Sequence, residues 1–414
     1  MEYGLIGERL GHSFSAEIHP KIFGYEYELL ELPPEKVGEY LQKREFSGIN
    51  VTIPYKQTVL PYLDEIDPGA REIGAVNTVV NRDGKLRGYN TDLDGMKALI
   101  CRGSTDLSGA RVLILGSGGT SRTAAAAAKS LGAAEIFRVS RSGKPGCITY
   151  EEAVRECRDT DYIINTTPCG MFPQIGEMPL DPAGFSGLKG VFDTVYNPLR
   201  TALVQRARDL GIPAEGGLYM LVVQAIAAAE LFAGKKAPDG TADEIFGEMY
   251  QQKRNLVMIG MPGSGKTTIG KKAAKAMGMD FVDTDIEIEK EIGGKIAGFI
   301  AEHGETAFRD QESEVIRRVA ALQHTVIATG GGSVLRRENV SLLKENGTVC
   351  FLDRPLRYLV TSESRPLSSN TEMVRRRYEE RYGIYRSAAD FRVAAGKSRK
   401  INAINVEREF RRTE

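Results

Sequence analysis

The chain is 414 residues long, with 42% hydrophobic and 27% charged residues, and its 55 basic side chains cancel its 55 acidic ones. That length exceeds one ordinary core and predicts roughly two or three domains. The neutral balance argues against non-specific attraction to nucleic acid or to membrane. No apolar stretch reaches about 18 residues and the N-terminus lacks a basic start with an apolar core, so neither a membrane span nor a signal peptide is expected. Five cysteines without CxxC spacing read as free thiols of a reducing compartment, which predicts a cytoplasmic protein.

In chain order, short strand-like runs come first: Tyr3–Ile6, Tyr27–Leu32, Gly48–Ile53, then Val76–Asn81 paired with Lys85–Tyr89. The Asp83-Gly84 pair between the last two signals a hairpin. Arg111–Gly116 is an apolar strand that runs into Gly116-Ser117-Gly118-Gly119 and the alanine-rich stretch Thr123–Leu131. Strand, glycine turn and helix open a Rossmann-type unit. Ile136–Val139, Tyr162–Asn165 and Val191–Val195 predict further buried parallel strands, and Leu218–Phe232 a helix. A turn at Gly234–Gly240 and a short helical stretch to Arg254 lead into a new unit at Asn255.

That unit opens with the apolar run Leu256–Ile259 and then Gly260-Met-Pro-Gly263-Ser264-Gly265-Lys266-Thr267-Thr268. This is P-loop spacing in a strand–loop–helix context. Its glycines let backbone N–H groups wrap a phosphate, Lys266 reaches the β/γ-phosphates, and Thr267 offers a hydroxyl to Mg²⁺. Upstream, Ser140-Arg141-Ser142 ends the strand where an NAD enzyme carries an acid. A guanidinium flanked by hydroxyls suits a 2′-phosphate instead, favouring NADP.

Ser13, Ser15, the run Asn50-Val51-Thr52-Ile53-Pro54-Tyr55-Lys56, Asn77-Thr78 and Asn90-Thr91-Asp92 add small hydroxyl and amide groups at strand ends and loops. With the glycine turn, Asn165-Thr166-Thr167-Pro168, and Gln224 in its helix, they resemble shikimate dehydrogenase over about residues 1–250. The resemblance implies that Ser13, Ser15, Thr52, Asn77 and Gln224 bind the substrate and that Lys56 and Asp92 form the catalytic pair. Reducing a ketone needs a proton on oxygen, which an ammonium beside a carboxylate delivers. It further implies an NADP(H) site from Gly116, Gly118, Gly119, Ser140, Arg141, Asn165, Thr166 and Gly217. His12 shapes the substrate loop in this reading, and His19 receives no role. Ala16 and Ser140 depart from the family's common proline and asparagine, and the second loosens the cofactor preference.

Phe281-Val282-Asp283-Thr284-Asp285, Phe308-Arg309, Thr329-Gly330-Gly331-Gly332, Arg365-Pro366 and Arg381-Tyr382 follow the P-loop in the order of shikimate kinase. The likeness covers residues 255–414. It implies that Asp283, with Thr267, holds Mg²⁺, and that Asp285 takes the hydroxyl proton. Arg309 and Arg381 would clamp the substrate carboxylate, Gly331 and Gly332 would let backbone approach the ring, and Arg365 would close over the phosphoryl group. Alternatives remain for two arginines: Arg309 pairing with Asp310 or Glu312 as surface decoration, and Arg381 on a solvated helix face. The short segment before Arg365, and Tyr-Gly-Ile-Tyr after Arg381, depart from the family pattern.

The expected fold class is therefore α/β. A substrate domain (1–98, completed by helices of 219–250), an NADP-binding Rossmann domain (99–218) and a P-loop kinase domain with a parallel sheet (255–414) make it up. Together the resemblances imply a bifunctional enzyme that reduces 3-dehydroshikimate with NADPH and phosphorylates shikimate with MgATP. Rival readings are an NAD-linked quinate/shikimate dehydrogenase joined to a kinase for another polyol acid, or one half acting as a ligand-sensing regulatory domain. Partners are small molecules, with no nucleic acid or membrane; a homo-oligomer is left open.

Overall fold

The computed structural model describes residues 2–11, 13–103, 105–359 and 371–413. It divides into two compact units. The first takes Met1–Met171, Glu177–Asn197 and Leu203–Tyr250; the second takes Phe172–Gly176, Pro198–Ala202 and Gln251–Glu414.

The first unit holds two sheets. Strands β1 (Tyr3–Gly7), β2 (Glu28–Glu31), β3 (Gly48–Val51), β4 (Glu65–Ile66), β5 (Thr78–Arg82) and β6 (Lys85–Tyr89) are ordered β2-β1-β3-β5-β6-β4. β1 lies parallel to β2 and β3, while β5 is antiparallel to β3 and β6. The β5–β6 turn has φ of 52° at Asp83 and 77° at Gly84. Two consecutive left-handed residues match the right-handed twist of the flanking strands, which is why Asp-Gly closes this hairpin. The antiparallel turn-back at β5 sets Thr78 beside Asn50, so the start of β5 and the end of β3 share one edge of the sheet.

The second sheet is parallel throughout: β7 (Arg111–Leu115), β8 (Glu135–Val139), β9 (Tyr162–Asn165), β10 (Gly190–Asp193) and β11 (Ala214–Glu215), ordered β11-β10-β9-β7-β8. Strand order reverses beside β7, the topological switch point at which open α/β sheets bind ligands. Ala124, Ala127 and Ala128 of the helix Gly119–Ser130 pack with Met96, Leu99 and Ile100 of the helix Asp92–Cys101.

The helix Leu218–Ala233 links the two sheets. Met220 joins the Rossmann-side core, while Ala228 and Phe232 pack with Leu5, Tyr27 and Val80 of the first sheet. It crosses Asp92–Cys101 at Gly95, where an added Cβ would stand 2.6 Å from the Met220 carbonyl oxygen. Only glycine allows that approach, and the approach carries Gln224 to the N-terminal end of the partner helix.

The second unit is built on one parallel sheet: β12 (Asn255–Ile259), β13 (Asp280–Asp283), β14 (Thr325–Ala328), β15 (Gly347–Asp353) and β16 (Phe391–Ala394), ordered β13-β14-β12-β15-β16. β12 and β15 are buried along their whole length, as expected for central strands covered on both faces. Ile175 enters the core with Leu342 and Val349, and the Leu199 N–H donates to Asn346 Oδ1 at 2.8 Å. The helix Ile296–Ala320 breaks at Gly304, whose φ is 86°. Among the described residues, no helix is long and apolar enough to cross a membrane.

Candidate active sites

In the first unit, Lys56 and Asp92 meet at 2.5 Å, with side chains 19% and 9% exposed. Asp92 opens the helix Asp92–Cys101, where the positive end of the helix dipole favours a carboxylate. Asn77 Nδ2 donates to Asp92 Oδ1 at 2.9 Å and to Thr91 Oγ1 at 3.0 Å, and faces Gln224 Oε1 at 3.5 Å. The Val76 N–H binds the Lys56 carbonyl at 2.8 Å, which ties the lysine segment to the residue preceding Asn77. Thus Lys56, Asn77, Asp92 and Gln224 come together from four separate stretches of chain.

Ser13, Ser15 and Thr52 lie beyond the ends of β1 and β3 at the same edge. Ser13 Oγ accepts from the Ser15 N–H at 3.3 Å, and the Thr52 N–H donates to the Ile6 carbonyl at 3.0 Å. His12 and its proposed shaping of this loop lie outside the described residues. His19 is fully buried, stacked on Tyr27 at 3.8 Å, and its burial pushes its pKa down to about 3. It stays neutral and packs in the core of the first sheet.

At the switch point, Gly116 has φ of 120°, and an added Cβ would sit 2.5 Å from Thr166 Oγ1. Thr166 in turn donates to the Leu115 carbonyl at 2.6 Å. Gly118 and Gly119 lead into the helix Gly119–Ser130, and an added Cβ on either meets no atom closer than 4.0 Å. Ser121, at the third glycine position of the fingerprint, is fully buried and donates to the Gly118 carbonyl at 2.8 Å. Its buried, bonded hydroxyl stands where the dinucleotide-binding G-x-G-x-x-G fingerprint has its last glycine. Gly217 backs directly onto the Thr194 carbonyl, leaving no room for a side chain.

Ser140 lies 3.3 Å from Ser117 and 3.2 Å from Ser142 through its hydroxyl, fastening the β8 loop to the glycine turn, with Arg141 exposed beside it. Asn165 differs in kind: fully buried, it donates to Asp193 at 2.9 Å and accepts from the Thr167 N–H and hydroxyl. It holds the loop after β9 in shape through its own side chain. The cradle of small residues and the absence of an acid at the end of β8 fit a dinucleotide bearing a 2′-phosphate.

In the second unit, the P-loop has φ of 144° at Gly260, 81° at Gly263 and 101° at Gly265. These left-handed positions demand glycine and turn consecutive N–H groups inward. Lys266 is buried, with Nζ 2.8 Å from the Gly260 carbonyl. Ser264 is buried beneath the loop, and Thr268 lies in the first turn of the helix Lys266–Met277. The Thr267 hydroxyl donates to Asp283 Oδ2 at 2.6 Å, and Asp283 Oδ1 accepts from the Asp285 N–H. A hydroxyl, a carboxylate and a phosphate cradle are what a Mg²⁺–nucleotide needs, since Mg²⁺ keeps few protein ligands.

The triple glycine faces this cradle. An added Cβ would stand 2.5 Å from Asp285 Oδ1 at Gly330, 2.6 Å from the Pro262 ring at Gly331, and against the Arg309 guanidinium at Gly332. The Gly331 carbonyl accepts from Arg381 at 3.1 Å and from the Tyr385 hydroxyl. Arg381 is therefore turned toward the glycines and off the solvated face. Arg309 is 12% exposed and binds Glu312 at 2.7 Å and Glu305 at 3.0 Å, while Asp310 goes to Arg336. The sequence offered Glu312 only as one partner in an alternative that made Arg309 surface decoration. Glu312 is buried, also accepts from Ser333 at 2.8 Å, and orients Arg309 from beneath. Arg365 lies outside the described residues.

Comparison with known proteins identifies the families of both units. A shikimate dehydrogenase (NADP(+)) of Clostridium perfringens is 36% identical over 264 residues, which covers 60% of this chain and 97% of that protein. This chain belongs to the shikimate dehydrogenase family. Residues 5–79 match the family model of the shikimate dehydrogenase substrate binding domain, and residues 262–410 that of shikimate kinase. The chain is thus a fusion of a shikimate dehydrogenase with a shikimate kinase domain. Among solved structures, a chorismate mutase/shikimate 5-dehydrogenase fusion protein from Clostridium acetobutylicum aligns with TM-score 0.56 at 38% identity, covering 60% of this chain and 96% of that one. The Thermus thermophilus shikimate 5-dehydrogenase in complex with NADP(H) and shikimate aligns at 0.54 and 28%, covering 59% and 98%.

Proposed function

We propose that the chain catalyses two consecutive steps on one compound: NADPH-dependent reduction of 3-dehydroshikimate to shikimate, then MgATP-dependent phosphorylation of the shikimate 3-hydroxyl. The observation that carries this reading is the part-buried Lys56–Asp92 pair, joined to Asn77 and Gln224.

In the first step NADPH supplies a hydride to the ketone carbon. Lys56 donates the matching proton to the ketone oxygen from Nζ while Asp92 holds the ammonium in place, and the neutral amine then regains a proton from solvent. Ser13, Ser15, Thr52, Asn77 and Gln224 hold the substrate's carboxylate and hydroxyls. Gly116, Gly118, Gly119, Thr166 and Gly217 make room for the dinucleotide, with Ser140 and Arg141 toward its 2′-phosphate and Asn165 shaping the loop beside it. In the second step Thr267 and Asp283 hold Mg²⁺, and Lys266 neutralises the phosphates within the backbone cradle. Asp285 accepts the hydroxyl proton, and Arg309 with Arg381 grips the carboxylate over Gly331 and Gly332. Positioning and electrostatics dominate such phosphoryl transfer. Arg365 retains its proposed place as the arginine that closes over the phosphoryl group.

We also read residues 1–98 with 219–250 as the substrate domain, 99–218 as the NADP domain and 255–414 as the kinase domain, acting in the cytoplasm on small molecules. The test supplies 3-dehydroshikimate, NADPH and MgATP together and follows NADPH loss and ADP release. Lys56→Ala is expected to abolish NADPH loss yet spare ADP release when shikimate is fed. Lys266→Ala should do the reverse. Loss of both activities from either change would contradict two autonomous sites.

A further inference from the structure

Beneath Asp92 a row of hydrogen bonds points one way. The Tyr27 hydroxyl donates to Asn50 Oδ1 at 2.7 Å, and Asn50 Nδ2 donates to Thr78 Oγ1 at 3.0 Å. The Thr78 hydroxyl donates to Asn77 Oδ1 at 3.1 Å, and Asn77 Nδ2 reaches Asp92 Oδ1 at 2.9 Å. All five residues are buried.

Donor and acceptor inventory favours this direction. An ionised Asp92 only accepts, so Asn77 must turn its NH₂ toward it. Its Oδ1 then takes the Thr91 N–H at 2.7 Å and the Thr78 proton. A hydroxyl has one proton to give. Thr78, having given it, must accept from Asn50, whose oxygen is thereby left to Tyr27. Burial raises the Tyr27 pKa well above its ordinary value, so the phenol keeps its proton and remains a donor. The Thr91 hydroxyl, 3.1 Å from Thr78, is the one branch close enough to draw that proton aside.

We propose that Tyr27 and Thr78, acting through Asn50, are positioning residues of the dehydrogenase: a polarised donor relay that fixes the amide of Asn77 and so the carboxylate of Asp92. The proposal rests on reading Lys56 and Asp92 as the catalytic pair. Without the Tyr27 hydroxyl, Asn50 Oδ1 loses its buried donor, which is costly enough to favour rotation of the amide. A rotated Asn50 presents oxygen to Thr78 and diverts its proton from Asn77. Asn50 Nδ2 also lies 3.3 Å from the Asn77 backbone carbonyl, but it reaches the Asn77 side chain through Thr78, so the relay has a signature that independent packing defects lack.

The experiment measures kcat and KM for shikimate oxidation with NADP⁺ on the full chain. Thr78→Val is expected to lower kcat about tenfold and Tyr27→Phe about threefold, with KM for shikimate within about threefold. The double variant should match Thr78→Val alone, because residues coupled through one network are not additive. Thr78→Ser should restore nearly full kcat, and in its background Tyr27→Phe should again cost about threefold. Should Thr78→Val fail to bind NADP⁺ in calorimetry, the Thr78→Ser and Tyr27→Phe variants decide the matter alone. Multiplicative losses in the double variant, a wild-type kcat in Tyr27→Phe, or no rescue by serine each overturn the relay. Asp92→Asn in the same assay separates the two claims. If it keeps activity, the catalytic pair itself is wrong; if it is inactive while Tyr27→Phe and Thr78→Val turn over normally, only the relay falls.

Discussion

The two sites solve opposite problems with opposite materials. The site we propose for the dehydrogenase is made of side chains: Lys56, Asn77, Asp92 and Gln224 bond to one another and to a buried polar network. The proposed kinase site is made largely of backbone, with left-handed glycines at 260, 263 and 265 and a triple glycine pressed against Asp285, Pro262 and Arg309. Moving a proton requires one group of definite acidity held at one point, and a side chain locked by neighbours provides that. Transferring a phosphoryl group requires a field over several oxygens, and rows of N–H groups with arginines and lysine provide that. The cations differ accordingly. Lys56 is already on the carboxylate that serves it, whereas Arg309 rests on Glu312 and Glu305 and must share or leave these partners when it takes a ligand.

The largest test of this contrast removes the charged group from each site. Lys56→Ala should lower dehydrogenase kcat by roughly 10²–10⁴, the range for a lost general acid. Lys56→Arg should not rescue it, since an arginine's proton is too tightly held. A stopped assay of shikimate oxidation reads this directly.

Next, Gly332→Ala puts a methyl group into the Arg309 guanidinium. Because a hydrogen bond to a charged group contributes about 1.5–3 kcal/mol, the KM for shikimate in the kinase reaction should rise roughly 10- to 100-fold. The KM for ATP should hold, since the P-loop is untouched. An equal rise for both substrates would mean that the glycine serves general folding.

A smaller effect concerns cofactor choice. Arg141 is the exposed cation at the end of β8. Arg141→Ser should raise the KM for NADPH about tenfold and leave that for NADH unchanged, within the range of one charge-assisted contact. Equal effects on both cofactors would remove Arg141 from the 2′-phosphate.

The smallest effect is on stability. Burial pushes Glu345 from an ordinary 4.5 up to about 8, with the Gly176 N–H and Arg317 opposing. The folded chain therefore binds this proton more tightly than the unfolded one. Stability from this group is greatest below pH 4.5 and is lost as pH rises toward 8. Calorimetry should show Glu345→Gln flattening the decline in melting temperature across that window. An unchanged pH slope would exclude the carboxyl as its source.

Legibility differed between the sites for a physical reason. The P-loop, the Asp83-Gly84 hairpin and the glycine turn after β7 were readable because each is a run of contiguous residues whose backbone torsions admit few side chains. The short edge strands Glu65–Ile66, Ala214–Glu215 and Phe391–Ala394 gave no signal, being too brief for a period to register. Arg381 was undecided because its mixed-charge helix presents arginines all round, and only packing selects which one meets Gly331. Glu312 looked like decoration because burial of an acid is invisible until its arginine is buried with it.

By itself the sequence determined the order of units and the two glycine-rich turns, since these follow from local torsional freedom, and it nominated the side chains proposed to react from their functional-group chemistry. Tertiary structure alone decided that Tyr27, Asn50, Thr78 and Asn77 line up on Asp92, and that Gln224 arrives beside them. Those partnerships depend on the β3–β5 register and on the helix crossing at Gly95. Register and crossing are settled by the packing of whole elements, which no short window of residues contains.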